Sequence, residues 1–281
     1  ELSRPAFRVF KSRAARKGRA AFLRRVRGRG LGCIGTRARA DSRDGLGIGS
    51  AGVSKTAPSI DGIRYLRMLG RMHLALKPRW YLEVGTFTGR SLGKVDCNFV
   101  AVDPAFRLKA PLSHPGAGQM HFFQTTSDDF FDSGFAQRND IRFDFAFLDG
   151  LHHFEVLLRD VMNAERLMAP GGVIALHDCC PSNVEMTVRD QISGAWTGDV
   201  WKTLLILLRH RPDLKIRVAK AAPTGLVVIQ GLDPASNVLW DRYDDLVAEY
   251  TGLQLDDLPG GLDEYYQAFT LETPEEVIAN L

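Results

Sequence analysis

The sequence has no apolar run long enough to cross a membrane: its most apolar stretch, Leu204 to Leu208, is far short of the roughly 18 residues a spanning helix needs. No early segment has the apolar make-up of a secretory signal. The expectation is a cytoplasmic protein with no membrane span. Cysteine is scarce. The four present, Cys33, Cys97, Cys179 and Cys180, show no CxxC spacing, which excludes a paired disulfide framework and argues against a structural zinc site. The vicinal pair reads as incidental. No internal repeat is visible.

Acidic charge is nearly missing from the first fifth of the chain. Fifteen Lys/Arg stand against three acids before Pro58, a surplus of twelve, which leaves −9 for the remainder of a chain whose net charge is +3. After Val26 that stretch also holds few large apolar residues at regular spacing. Residues 1–58 are expected to be a largely disordered basic tail. A nucleic-acid or membrane arm, or an organelle transit segment, is the alternative. The acidic remainder makes a nucleic-acid partner unlikely, since enzymes on such substrates usually present a basic surface beside the site.

At 45% hydrophobic and 25% charged overall, the chain can bury a sizeable core. Ile60, Ile63, Leu66, Met68, Met72 and Leu76 predict an amphipathic helix behind Pro58-Ser59, stopped by Lys77-Pro78. Strands are expected at Trp80 to Val84, Phe99 to Val102, Met120 to Thr125, Phe143 to Leu148, Val173 to Leu176, Ile216 to Ala219 and Leu226 to Ile229. Between them, helices are expected to start at Ser127 or Asp128 as N-cap, to run from Phe154 to Leu167, and to run from Val200 to Leu208 with Asp199 as cap. Past Pro234 the chain reads as helical, with Thr273-Pro274-Glu275-Glu276 as a capping box. The implied fold is α/β: Rossmann-like, doubly wound, a mostly parallel seven-stranded sheet with an antiparallel edge strand. Three regions follow: the tail 1–58, a ligand-binding domain 59–232 and a helical extension 233–281.

The polar residues of interest sit where parallel strands stop: Glu83, Asp103, Asp149 and the pair His177-Asp178. In an open α/β sheet the crevice beyond the strands' carboxyl ends is where ligands bind, so these groups should converge. After the first strand, Gly85, Thr86, Gly89 and Ser91 form a turn whose backbone can approach a ligand, with Ser91-Leu92 opening a helix. Asp103, eighteen residues after Gly85, is spaced to accept hydrogen bonds from a ribose diol, or simply belongs to the Asp-Pro turn.

The order Glu83-x-Gly85-x-x-x-Gly89, Asp149-Gly150-x-His152-x-Phe154-Glu155, Asp160, Pro170-Gly171-Gly172 and His177-Asp178 resembles the methyltransferase 24 family of class I S-adenosylmethionine-dependent methyltransferases, small-molecule O-methyltransferase-like enzymes. The likeness spans roughly residues 60–232. It implies that Glu83, Gly85, Thr86, Gly89, Ser91, Asp103, Ser127, Asp128 and Asp149 serve S-adenosylmethionine. By the same likeness His152 and His177 are the catalytic candidates, and Asp149 and Asp178 would hold Mg²⁺ if the enzyme uses a metal. The partner is then a small-molecule acceptor, in a chain that could form homo-oligomers. Two rivals stay open. A nicotinamide-dependent oxidoreductase lacks the third glycine of its fingerprint, and an RNA methyltransferase would use the basic arm.

Overall fold

From Trp80 to Val84 every residue is buried, as an apolar run at the centre of a parallel sheet must be, and these five form β1. The computed structural model describes residues 57–109, 118–191 and 194–281. All but the last two residues of the expected basic tail therefore lie outside the described part. Helix α1 (Tyr65–Leu76) precedes β1; β2 (Asn98–Val102), β3 (Met120–Phe123), β4 (Phe143–Leu148) and β5 (Met168–His177) follow. The sheet is completed by β6 (Lys215–Ala219), β7 (Leu226–Gln230) and the two-residue β8 (Leu271–Glu272).

The strand order is β3-β2-β1-β4-β5-β7-β6-β8. Strand β1 pairs in parallel with β2 on one side and β4 on the other, so successive connections leave it in opposite directions and open a crevice at its carboxyl end. The sheet has one strand more than the sequence suggests. Its antiparallel member is β7, which sits between β5 and β6. The connection from Lys220 to Gly225 is too short for a crossover, so β6 and β7 can only turn back on each other.

The helices after β3 are α2 (Ser127–Asp132), α3 (Phe135–Arg138), α4 (Phe154–Leu167), α5 (Trp201–His210), α6 (Tyr243–Tyr250), α7 (Gly261–Gln267) and α8 (Pro274–Ala279). By its contacts the chain divides into a unit of residues 52–243 and 254–281, to which everything below belongs, and a second whose described part is residues 244–253. That part is most of helix α6. In the larger unit, Met68, Leu69 and Met72 of α1 share one core with Tyr81, Phe99, Phe145, Phe147 and Val277 of α8. Each such side chain contributes about 1.5–3 kcal/mol when fully buried.

Several local expectations are corrected. Helix α1 begins at Tyr65, because the backbone just before it is zipped to Ala222: Ala222 N–H donates to Ile63 O (2.8 Å) and Tyr65 N–H to Ala222 O (2.9 Å). A side chain at Gly62 would stand 1.5 Å from Lys220 O, so only glycine lets these segments meet. After Gly89 there is a single 3-10 turn, Leu92–Lys94, where a helix was expected. Gly93 weakens helix there and β2 starts at Asn98, leaving no room for an amphipathic face.

The N-cap of α2 is Thr126, whose hydroxyl accepts from Asp129 N–H, one residue ahead of the expected Ser127 or Asp128. Asp199 does not cap α5. Its Oδ1 accepts from Phe154 N–H (2.9 Å) at the start of α4, and Oδ2 receives Lys202 Nζ (2.9 Å) and Arg189 Nη1 (3.1 Å). The capping box forms as read, with Thr273 N–H donating to Glu276 (2.7 Å) and Glu276 N–H to the Thr273 hydroxyl (3.2 Å).

Candidate active site

Past β1 the chain folds into a turn with three positive φ angles, Gly85 (89°), Phe87 (44°) and Gly89 (72°). Gly85 is required by the protein itself, since a Cβ there would lie 1.9 Å from the carbonyl oxygen of Asp149. The loop is pressed onto the end of β4. A phenylalanine at positive φ is strained, and such strain persists only where surroundings enforce it. Here Phe87 N–H donates to Asp103 Oδ2 (2.7 Å), while its carbonyl accepts from Arg107 N–H (2.8 Å). The other oxygen, Asp103 Oδ1, accepts from Ala105 N–H (2.7 Å). Asp103 thus fixes the loop and still offers free lone pairs to the cavity it lines.

Beneath the loop, Glu83 is fully buried and accepts from Tyr81 Oη and Ser91 Oγ, each at 2.7 Å. Burial lifts its carboxyl to about 7 against the opposing pull of those hydroxyls. Glu83 holds the loop from behind; neither it nor Gly89 lines the cavity, whereas Gly85, Thr86 and Ser91 do. Thr86 Oγ1 is buried with no hydrogen-bond partner. On the far side Ser127 and Asp128 reach the same cavity. Asp128 is gripped by Arg159 through Nε–Oδ1 (2.9 Å) and Nη2–Oδ2 (2.6 Å), a fork that sequence spacing gave no way to see.

The ends of β4 and β5 bring four groups together. His152 Nε2 lies 3.2 Å from Asp178 Oδ2 and 3.6 Å from Asp149 Oδ1. His177 Nδ1 stands 3.3 Å from each of the same two oxygens. The second nitrogen of His177 faces Thr224 Oγ1 (3.3 Å), whose hydroxyl donates to Asp178 Oδ1 (2.5 Å). Burial alone would push the Asp149 carboxyl up, yet His177 and His152 carry it well below the usual range. Burial alone would lower His177, and Asp149 with Asp178 outweighs it, so His177 stays an imidazolium. His152 is raised by the same two carboxylates against its own desolvation.

Two aromatics that the sequence did not single out complete the cluster. Trp196 stacks on His152 with ring centroids 4.7 Å apart, and Tyr65 lies 4.0 Å from His177. His152 is further clamped by its backbone, because its carbonyl accepts from Asp199 N–H (3.2 Å) and a Cβ at Gly198 would stand 2.0 Å from it. The whole lines a cavity of ≈ 1090 Å³, ample for a nucleoside-sized ligand and a second small molecule.

For S-adenosylmethionine the lining fits: an acid, Asp103, with lone pairs to spare, and the turn Gly85 to Thr88 along the cavity wall. For a metal the fit depends on the ion. One ligand atom each from Asp149, His152 and Asp178 lies within 4.8 Å of the others. Two carboxylates ringed by two imidazoles suit a borderline divalent ion better than Mg²⁺, which prefers oxygen, and the His177 proton already occupies the approach to both carboxylates.

Residues 82–179 match a family model described as a methyltransferase domain. Among solved structures, the chain is similar to the O-methyltransferase from Bacillus cereus in complex with SAH, at 14% identity over 59% of this chain and 80% of that one, with a TM-score of 0.43. The O-methyltransferase TomG from Streptomyces achromogenes, involved in tomaymycin synthesis and in complex with SAM, gives 16% identity over 59% and 78%, with a TM-score of 0.40. Likenesses at this level add nothing to what the sheet order and the family match establish. Comparison with curated proteins returned no match. The matched stretch runs from β1 through the cofactor-type loop to the strand-end residues His177 and Asp178, so this part of the chain is a methyltransferase domain and the protein an S-adenosylmethionine-dependent methyltransferase.

Proposed function

We propose that the protein methylates a hydroxyl oxygen of a small molecule, with His152 as the base. The observation that carries this is the placement of His152 Nε2 beside Asp178 and Asp149 at the wall of the cavity. S-adenosylmethionine supplies a methyl group on a sulfonium, which an oxygen nucleophile can displace in line. The protein has to orient that nucleophile and take its proton. Alignment alone supplies on the order of 7–11 kcal/mol in favourable cases.

Asp103 accepts from the ribose hydroxyls, and the backbone of Gly85 to Thr88 follows the methionine end. Ser127 and Asp128 border the adenine. The acceptor's proton comes to rest on the His152 imidazole, whose Nε2–H faces the two carboxylates that stabilise the imidazolium. Trp196 keeps the ring in plane. His177, with both nitrogens engaged, acts as a fixed cation that holds Asp149 and Asp178 in position, so of the two histidines it is the positioning residue. Leu151 and Phe87, both about half exposed, offer an apolar acceptor wall.

His152→Ala should lower kcat by roughly 10²–10⁴ while S-adenosylmethionine affinity stays within a few fold. The measurement is transfer of labelled methyl to a panel of hydroxylated small molecules, beside titration calorimetry. Wild-type turnover in the variant would remove His152 from the chemistry. A second reading, that Asp149, His152 and Asp178 hold a divalent ion, is favoured by how closely their ligand atoms gather. Under it, chelator abolishes turnover, the ion restores it, and Asp178→Asn is more damaging than His152→Ala.

A further inference from the structure

The cavity wall follows the order of the strands. His177 and Asp178 stand at the end of β5, Asp149 follows β4, the turn Gly85 to Thr88 follows β1, Asp103 follows β2, and Thr125 to Asp128 follow β3. Neighbouring strands lie about 4.8 Å apart, so the ends of β4 and β3 are separated by about 14 Å. A nucleoside ligand that reacts beside His152 with its ribose at Asp103 therefore has its base beyond β3, where the carboxylate is that of Asp128.

That carboxylate is held on one side. Arg159 Nε donates to Oδ1 (2.9 Å) and Nη2 to Oδ2 (2.6 Å), which takes one lone pair from each oxygen. The guanidinium cannot swing, because its Nη1 donates to the Tyr243 hydroxyl, which in turn donates to Glu155 O (3.0 Å). Among the described residues no other side chain donates to Asp128, and its side chain is 45% exposed, so each oxygen keeps a lone pair for a ligand. Val156, one turn before Arg159 on α4, lines the cavity as well and adds an apolar surface for a base.

We propose that Arg159 is the positioning residue that makes this site select a purine with an exocyclic amine, by fixing Asp128 so that its open edge accepts from that amine. This rests on the methyltransferase reading above, which sets Asp128 beside the adenine. A carboxylate only accepts, and so does a carbonyl at the same place on the ring. A loose carboxylate could turn away from such a carbonyl. One forked by a fixed guanidinium cannot, and a site built around one hydrogen-bonding partner rejects the analogue that lacks it. If Arg159 merely tied α4 to α2, its loss would weaken both kinds of base alike.

The test is titration calorimetry of the full chain with S-adenosylhomocysteine and with S-inosylhomocysteine, which has a carbonyl in place of the amine. Wild type should bind the adenine compound at least about 30-fold more tightly. Arg159→Met should lose roughly tenfold for the adenine compound and less than about twofold for the inosine compound. Arg159→Lys keeps the charge without the fork and should show the same reduced preference. Equal loss for both ligands, no loss for either, no preference in wild type, or the wild-type ratio in Arg159→Lys overturns the proposal. If Arg159→Met fails to fold, Arg159→Lys carries the comparison, because the ratio of two affinities is read on one protein. Wild-type protein that binds neither ligand would overturn the methyltransferase reading itself.

Discussion

A carboxyl group cut off from water is more stable as an acid than as an anion, and Glu83 is held in that condition under the cofactor loop. Its folded value of about 7 lies above the ordinary 4.5, so the stability it contributes is fully present below about 4.5 and is lost as pH rises through 7. The loss amounts to roughly 3 kcal/mol over that window. His177 adds a slope of the same sign higher up, since its raised value means stability kept below the ordinary imidazole range and lost in the alkaline range. Comparing wild type with Glu83→Gln cancels the histidine. Between pH 5 and 8 the wild-type melting temperature should fall more steeply than that of Glu83→Gln, and parallel curves would show that Glu83 is ionised in the fold throughout. At this scale the strand-end acids were legible because they follow directly after apolar runs, and His152 through the family resemblance. Tyr65, Trp196 and Arg159 were not, since nothing in their own neighbourhood marks them; residues 112, 44 and 31 positions away give them their partners.

Helix ends show the next level of the same argument. A run such as Thr125-Thr126-Ser127-Asp128 offers four side chains able to cap, and the helix takes the one whose backbone is extended, Thr126. Asp199 precedes α5 and reads as its cap, yet the fold spends it on α4, where it also neutralises Lys202, itself 1% exposed. Removing it uncaps one helix and takes from the buried Lys202 ammonium the carboxylate it donates to, while Arg189 keeps Glu155. Asp199→Ala should cost about 3 kcal/mol, read from the urea midpoint, and Asp199→Asn less because the cap oxygen survives. A loss under about 0.5 kcal/mol would mean the network is ornamental.

For the whole molecule, alternating strands and helices were enough to give the sheet, its parallel centre and the crevice. What escaped was the eighth strand: Leu271–Glu272 is two residues long, with no periodicity to read, and exists because β6 presents an edge for it. We propose that residues 1–56 are dispensable. A protein beginning at Ala57 keeps the hydrogen bond from Ala57 N–H to Ser182 O (2.9 Å), and should melt within about 2 °C of the full chain with unchanged cofactor affinity. A clear drop in either would show that the basic segment docks on the domain.

The way α1 is anchored also sets an order of events. Tyr65 is moored to Ala222, Lys220 N–H to Glu272 O (2.8 Å), and Arg71 of α1 to Glu275 of α8, 204 residues downstream. A ribosome emits the glycine loop and the strand-end acids long before these moorings exist. Helix α1 therefore cannot be fully anchored until the segment that includes β8 and α8 has emerged, so the first helix of the described chain is among the last to be fixed.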